Sequence, residues 1–211
     1  MPKNLGDIVH VDILFGSKTW INGVKHTFFI VDRAKRFKYL YPLKNHKDNI
    51  MPAIQKFSID IHTFPKCIIT DFDHKLMGSK IEHLARSNHC TIESAPPEHQ
   101  SQNGICVRNW HTLLKMVRSW LATSLLLNKF WYHTLKRATE VSNYLPLKVN
   151  NILTTPHKLV YEQKPDLRNL FQLSALAYIP HKNQDSFNNQ TIKTILIGGS
   201  DKFNTLLFYH P

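Results

Sequence analysis

Two aspartates stand where a carboxylate is costly to keep. Asp12 lies in the middle of Ile8–Phe15, a segment that alternates like a strand: Val9, Val11, Ile13 and Phe15 share one face, and Ile8, His10, Asp12 and Leu14 the other. Asp71 closes the apolar run Cys67-Ile68-Ile69, which reads as a buried central strand. An ionised carboxylate among apolar neighbours must be paired or bound to a cation, and strand ends are where α/β sheets place ligands. Two such groups on adjacent strands could hold Mg²⁺, a hard ion that takes oxygen ligands. The bland alternative is equally open on pattern alone: Asp12 faces solvent and Asp71 caps a turn.

A second feature is electrostatic. From His99 to Thr139 no acidic residue occurs, while Arg108, Lys115, Arg118, Lys129, Lys136 and Arg137 do. Arg108, Lys115 and Arg118 fall on an expected helix, off its apolar stripe. They suit phosphate contacts, which carry affinity without reading sequence, or they are simply a solvated helix face. The cysteines, Cys67, Cys90 and Cys106, are odd in number and lack C-x-x-C spacing, which argues against a disulfide framework or zinc knuckle. Cys67 and Cys90 read as core residues. None of the thirteen histidines makes an H-E-x-x-H pattern.

The elements that must position these groups can be read from punctuation and period. Asn22-Gly23 signals a hairpin after the first strand, Thr27–Val31 returns, and Phe37, Tyr39 and Tyr41 mark a third strand after a polar turn at Asp32–Lys35. A helix is expected near Asn49–Ile61, with Pro52 in its first turn and Ile54, Phe57 and Ile61 on one face. A short helix at about 77–88 and a strand at 90–94 precede the break at Pro96-Pro97. After a polar loop at His99–Gly104, a helix over 105–124 carries the stripe Cys106, Trp110, Leu113, Val117 and Trp120. Another over 128–145 turns Trp131, Leu135, Ala138 and Leu145 inward. Thr155-Pro156 is a cap followed by proline at the first helical position. Strands at Ala175–Ile179, Thr194–Ile197 and Leu206–Tyr209, with a turn at Gly198-Gly199 and a polar loop at Asn183–Asn189, form a β appendage.

The whole chain suits one medium domain plus a small addition: 211 residues, 42% hydrophobic and 20% charged. That composition excludes a disordered polyelectrolyte. A net charge of +12 favours a polyanionic partner, nucleic acid ahead of membrane. No signal peptide or apolar run of transmembrane length is read, so no membrane partner is expected and an intracellular setting, the nucleus included, fits.

These segments, in this order, resemble the catalytic core of retroelement integrases, the copia type especially. Gly6-Asp7-Ile8-Val9-His10-Val11-Asp12 resembles the family's opening strand, and Val31-Asp32-Arg33-Ala34 to Tyr39 its second and third strands. Ile69-Thr70-Asp71-Phe72-Asp73 is similar to the strand bearing the second aspartate. Gln100-Ser101-Gln102-Asn103-Gly104 matches the loop before the catalytic helix. Phe130-Trp131 and Ala138 through Asn143 to Pro146 resemble the family's next helix, and Thr155-Pro156 to Tyr161 with Lys164-Pro165-Asp166 its exit segment. The match runs over residues 6–180.

The resemblance implies a ribonuclease H-like α/β fold, a mixed five-stranded sheet flanked by helices, at residues 1–165. Residues 166–211 are then a linker and part of a small Src-homology-type β-barrel. It implies DNA as partner, a homodimer or higher oligomer, and Mg²⁺ or Mn²⁺ as cofactor. Asp12 and Asp71 match the first two members of an Asp-Asp-Glu triad, and Gln102 and Asn103 join Arg108, Lys115 and Arg118 as nucleic-acid contacts. The triad's glutamate stands three positions after the glycine of the Asn-Gly pair, which from Gly104 is Val107. Thirty-five residues, 72–106, also separate Asp71 from Val107, the family spacing. Valine binds no metal. Glu98 and Glu93 come too early in the chain, and His111 lies one turn on, about 6 Å along the helix, with an imidazole better suited to zinc. The expected protein is therefore an integrase core with a degenerate active site, for which strand transfer is the ancestral activity. The competing expectation is a non-catalytic remnant that binds nucleic acid or dimerises.

Overall fold

The computed structural model describes residues 2–16, 23–44, 50–71, 74–94, 104–124, 126–149, 151–180, 191–199 and 205–210. Its centre is a five-stranded sheet in the order β3-β2-β1-β4-β5, built from β1 (Ile8–Phe15), β2 (His26–Asp32), β3 (Lys38–Leu43), β4 (Cys67–Thr70) and β5 (Thr91–Ser94). β1, β2 and β3 form an antiparallel meander, whereas β4 and β5 run parallel to β1. The switch has a simple cause. Among the described residues no helix stands between the first three strands, while α1 (Ile50–Asp60) and α2 (His74–Ser87) carry the chain back before β4 and β5.

Helices cover both faces, so β1 and β2 are apolar on both sides. On one side, Val9, Val11, Ile13, Phe28, Ile30 and Ile68 pack against Ile50, Ile54 and Phe57 of α1 and Ile81 and Ala85 of α2. On the other, Leu14, Phe29 and Val31 meet α3 (Gly104–Thr123) through Cys106, Leu113 and Val117. They also meet α4 (Trp131–Tyr144) through Trp131, Leu135 and Ala138. A 3-10 turn at Asn128–Phe130 leads into α4. At α5 (Pro156–Tyr161) the Thr155 hydroxyl accepts the Lys158 amide, the cap expected from Thr155-Pro156.

Several expectations are revised. The β1–β2 connection is longer than a tight hairpin: the Gly16 amide still donates to the Lys25 carbonyl, and only Gly23 of the Asn22-Gly23 signal lies among the described residues. Leu145 does not point inward. It comes after the last turn of α4 in extended conformation and is 50% exposed. Cys67 is half-buried, because it opens β4 at the sheet margin, while Cys90 is buried. Gly198-Gly199 is no turn. β9 (Thr191–Gly199) runs through both, between β8 (Leu176–Pro180) and β10 (Leu206–Tyr209), and the register with β10 shifts at a bulge beside Gly198. There φ is +154, which glycine tolerates. A small hairpin, β6 (Leu147–Val149) with β7 (Ile152–Thr154), is not apparent in the sequence. Its strands have three residues each, too short for an alternating pattern, though Asn150-Asn151 is a fair turn signal and Asn151 adopts φ 65.

Residues 95–103 and 181–190, and with them Gln102, Asn103, Pro96-Pro97 and Asn183–Asn189, lie outside the described residues. No helix among the described residues is long and apolar enough to cross a membrane.

Candidate active site

β1 and β4 are parallel neighbours with His10 opposite Ile69 and Val11 opposite Thr70. The next step of that register sets Asp12 level with Asp71. Asp12 is half-buried within β1, and Asp71 is exposed as the first residue beyond β4. The two charges interact. Burial, with the Asp71 carboxylate second, pushes the Asp12 carboxyl up to about 7, and a hydrogen bond from the Ile13 backbone offsets this only in part. No cationic side chain pairs with Asp12 among the described residues. Two carboxylates that repel one another, one of them partly desolvated, are a donor set that fits a hard divalent cation.

α3 closes the third side. Its first turn is anchored by Cys106, which is fully buried and whose thiol lies 3.9 Å from the His10 carbonyl oxygen, two residues before Asp12 in β1. Burial and then the charges of Asp12 and Asp71 raise the Cys106 thiol well above its usual range, so this turn of α3 stands within reach of both aspartates. Val107, the next residue, is half-buried and brings no ligand atom. Among the described residues no three acidic, histidine or cysteine side chains are grouped so as to hold a metal ion. Glu93 is no substitute: β5 pairs it with Ile69, and its charge acts on Cys67 at the opposite end of β4 from Asp71. His111 is exposed on α3, and Glu98 lies outside the described residues.

Arg108, Lys115 and Arg118 are all exposed on α3, off the stripe formed by Cys106, Leu113 and Val117. A further group escapes a reading of the sequence for motifs. The turn after β2 and the start of β3 hold Arg33, Lys35, Arg36 and Lys38, four cations in six positions, which is signal enough to find them. Arg36 is half-buried at φ 58, and burial, then the charges of Arg33 and Arg108, lower its pKa.

The architecture has known counterparts. It aligns with the HTLV-2 integrase catalytic core domain, solved in complex with magnesium in a trimeric form, at a TM-score of 0.56 and 14% identity, over 75% of this chain and 99% of that one. The fold is that of an integrase catalytic core. The BIV integrase core aligns at a TM-score of 0.54 and 13% identity, over 74% of this integrase-like chain and 95% of its own. The simian T-cell lymphotropic virus intasome, solved with the PP2A regulatory subunit B56 gamma, aligns at 0.58 and 16%, over 99% of this chain and 78% of that one. In sequence, the integrase-like chain is 24% identical over 206 residues to the retrovirus-related Pol polyprotein of transposon TNT 1-94 from Nicotiana tabacum. The match takes in 94% of this chain and 15% of the polyprotein's length. No family model matches the sequence. The mixed five-stranded sheet flanked by helices and the retroelement resemblance thus stand together.

Proposed function

We propose that this chain is the catalytic-core region of a retrotransposon integrase in which DNA strand transfer is impaired at Val107. The observation that carries the reading is the meeting of Asp12, Asp71 and the first turn of α3, with Val107 in that turn at the position the resemblance matches to the third ligand. Asp12 and Asp71 would hold Mg²⁺ or Mn²⁺, which when bound supplies a Lewis acid to activate an attacking hydroxyl or water and to stabilise the leaving oxygen. The chain's own part is to orient the ion through two carboxylates and to bind DNA through Arg108, Lys115 and Arg118. Gln102 and Asn103, next to α3 in sequence, would add polar contacts. Residues 166–211 are read as a linker and part of a small β-barrel, a reading supported by the three antiparallel strands β8, β9 and β10. A homo-oligomer is favoured by the dimeric and trimeric forms described for the HTLV-2 core.

The same valine favours a second reading, a remnant that binds nucleic acid or dimerises without catalysis. Disintegration of a branched DNA with Mn²⁺ separates the two. The expected result is little or no activity in the unmodified chain and recovery in Val107→Glu, since one missing electrostatic contact in the transition state costs about a hundredfold in rate. The recovered activity should vanish in Val107→Glu/Asp71→Asn. Robust activity in the unmodified chain, abolished by Asp71→Asn, would overturn the impairment. Val107→Glu as silent as the parent favours the remnant.

A further inference from the structure

Among the described residues the cations of the β2–β3 turn outnumber the anions set against them. Lys38 is 5% exposed, yet its ammonium makes only a long hydrogen bond, 3.4 Å to the Arg36 carbonyl, among the described residues. Burial and the neighbouring Arg36 lower the Lys38 ammonium to about 8. The acid closest in the chain, Asp32, is fully buried and already committed. Its carboxylate accepts the Gly6 amide at 2.9 Å and the Lys35 amide at 2.6 Å, and the Ala34 amide as well. It shapes the turn, and its charge acts on Lys35 and Arg36, but one carboxylate does not balance the four cations at 33–38.

α3 enters at the same place. Cys106 reaches the carbonyl of His10, His10 pairs with Val31, and Val31 pairs with Lys38. Arg108, two residues beyond Cys106 and exposed, thus falls beside the turn, where its charge reaches Arg36. Guanidinium forks match the oxygens of a phosphate in pairs, while a lysine acts as a point charge.

We propose that Arg36, Lys38 and Arg108, with Arg33 at the rim, form a site for one backbone phosphate of a DNA strand, separate from the Asp12–Asp71 pair. The inference rests on reading the chain as a DNA-binding integrase core. A strand is favoured over a free anion because Lys38 lies two strands from His10, about 10 Å across the sheet, and His10 is two residues from Asp12, about 7 Å along β1, a span of roughly two or three nucleotides. A polynucleotide at the aspartates therefore carries further phosphates into reach. The +12 net charge also selects a polyanion.

Anisotropy titrations of the full chain with a short random-sequence duplex, over a series of KCl concentrations and without divalent metal, test the site. The double variant Arg36→Gln/Lys38→Met should bind at least tenfold more weakly at low salt. Its slope of log affinity against log salt should be shallower by about 0.9, one phosphate contact. Thermal unfolding checks its fold, and removal of a buried charge should leave the midpoint unchanged or raised. The control, Lys115→Ala/Arg118→Ala, reports on DNA binding elsewhere on α3. An unchanged turn variant beside a weakened control would overturn the site and leave the DNA-binding reading standing. A parent chain that binds no duplex would overturn both. If inorganic phosphate stabilises the parent but not the turn variant, while both bind duplex equally, the site belongs to a small anion and the DNA assignment falls.

Discussion

Asp12 is a carboxylate whose surroundings oppose its charge, and this should be visible as a pH dependence of stability. Its carboxyl titrates near 3.8 when unperturbed and about 7 in the folded chain, raised by burial and then by Asp71. A folded-state pKa above the unfolded one means the neutral form is favoured by folding. The contribution is fully present below about pH 4 and is lost as pH rises through 7. His133 works the other way, since burial lowers its pKa and favours folding as pH rises. A difference measurement therefore isolates Asp12. Relative to the parent, Asp12→Asn should unfold at a similar temperature at pH 4 and at a higher one at pH 8. Each kcal/mol is about 2–4 °C for a domain of this size. Mg²⁺ or Mn²⁺ at pH 8 should raise the melting temperature of the parent but not of the variant. Parallel melting profiles for the two proteins, with and without metal, would dismiss the carboxylate pair as a metal site. Asp12 was legible as a candidate because a carboxylate inside an apolar strand is an anomaly that a single sequence displays, and Asp71 because it follows directly on a short apolar run. Cys106 was legible only as part of an apolar stripe: that its thiol meets the His10 carbonyl and feels the charge of both aspartates depends on how α3 crosses β1, which no local pattern records. The cations at 33–38 were visible as residues, but that α3 brings Arg108 to the same turn, where its charge reaches Arg36, is set by the tertiary fold.

At the scale of elements, the edge strand β3 shows how a helix can stand in for a missing strand. Among the described residues β3 ends the sheet, so its outward amides have no strand partner there. Asn143 on α4, 4% exposed, supplies one: its Oδ1 accepts the Lys38 amide at 3.0 Å and its Nδ2 donates to the Lys38 carbonyl at 2.9 Å. Both backbone groups and the side-chain amide are buried, so none can turn to water. Asn143→Leu keeps the volume and removes both bonds. Leaving buried polar groups unpaired costs about 1–3 kcal/mol each, and the variant should melt several degrees lower, with faster hydrogen exchange at Lys38. Unchanged melting and exchange would mean that water replaces the bridge. The strands and helices themselves were readable in the sequence wherever their pattern was long: β1 by alternation, α3 by its stripe, α5 by its cap. What escaped was short or set by partners at a distance. β6 and β7 have three residues each, and β9 runs through Gly198-Gly199 because β10 pairs along it, which outweighs the turn preference of two glycines.

The molecule as a whole is tied together by a third cluster, where the C-terminal sheet seats on α4. Leu126, Phe130 and Ile197 are buried there, with Leu121, Leu173, Ile195, Leu207 and Tyr209 packed around them. The Lys129 ammonium donates to the Tyr209 hydroxyl at 3.0 Å and lies 4.6 Å from the ring centroid, so one residue beside α4 holds the last strand by two kinds of contact. Phe130 is 1% exposed, and its ring meets that of Tyr209 edge-on at 4.8 Å. It also opens α4, the helix that carries Trp131, Leu135 and Ala138 into the central core. Leu121 packs against both clusters, and Phe130 is joined directly to the helix that fills the central one, so the two are coupled. The central α/β layer and the C-terminal sheet should therefore unfold in a single cooperative transition, despite being separate sheets. Phe130→Ala should lower that one transition by about 3–5 kcal/mol, on the order of 10 °C, and Ile197→Ala should shift the same transition by less. Calorimetry checks this directly. Two resolved transitions in the parent, or an Ile197→Ala variant that melts only its own sheet while the main transition stays in place, would show that the C-terminal sheet is an independent module resting on the core.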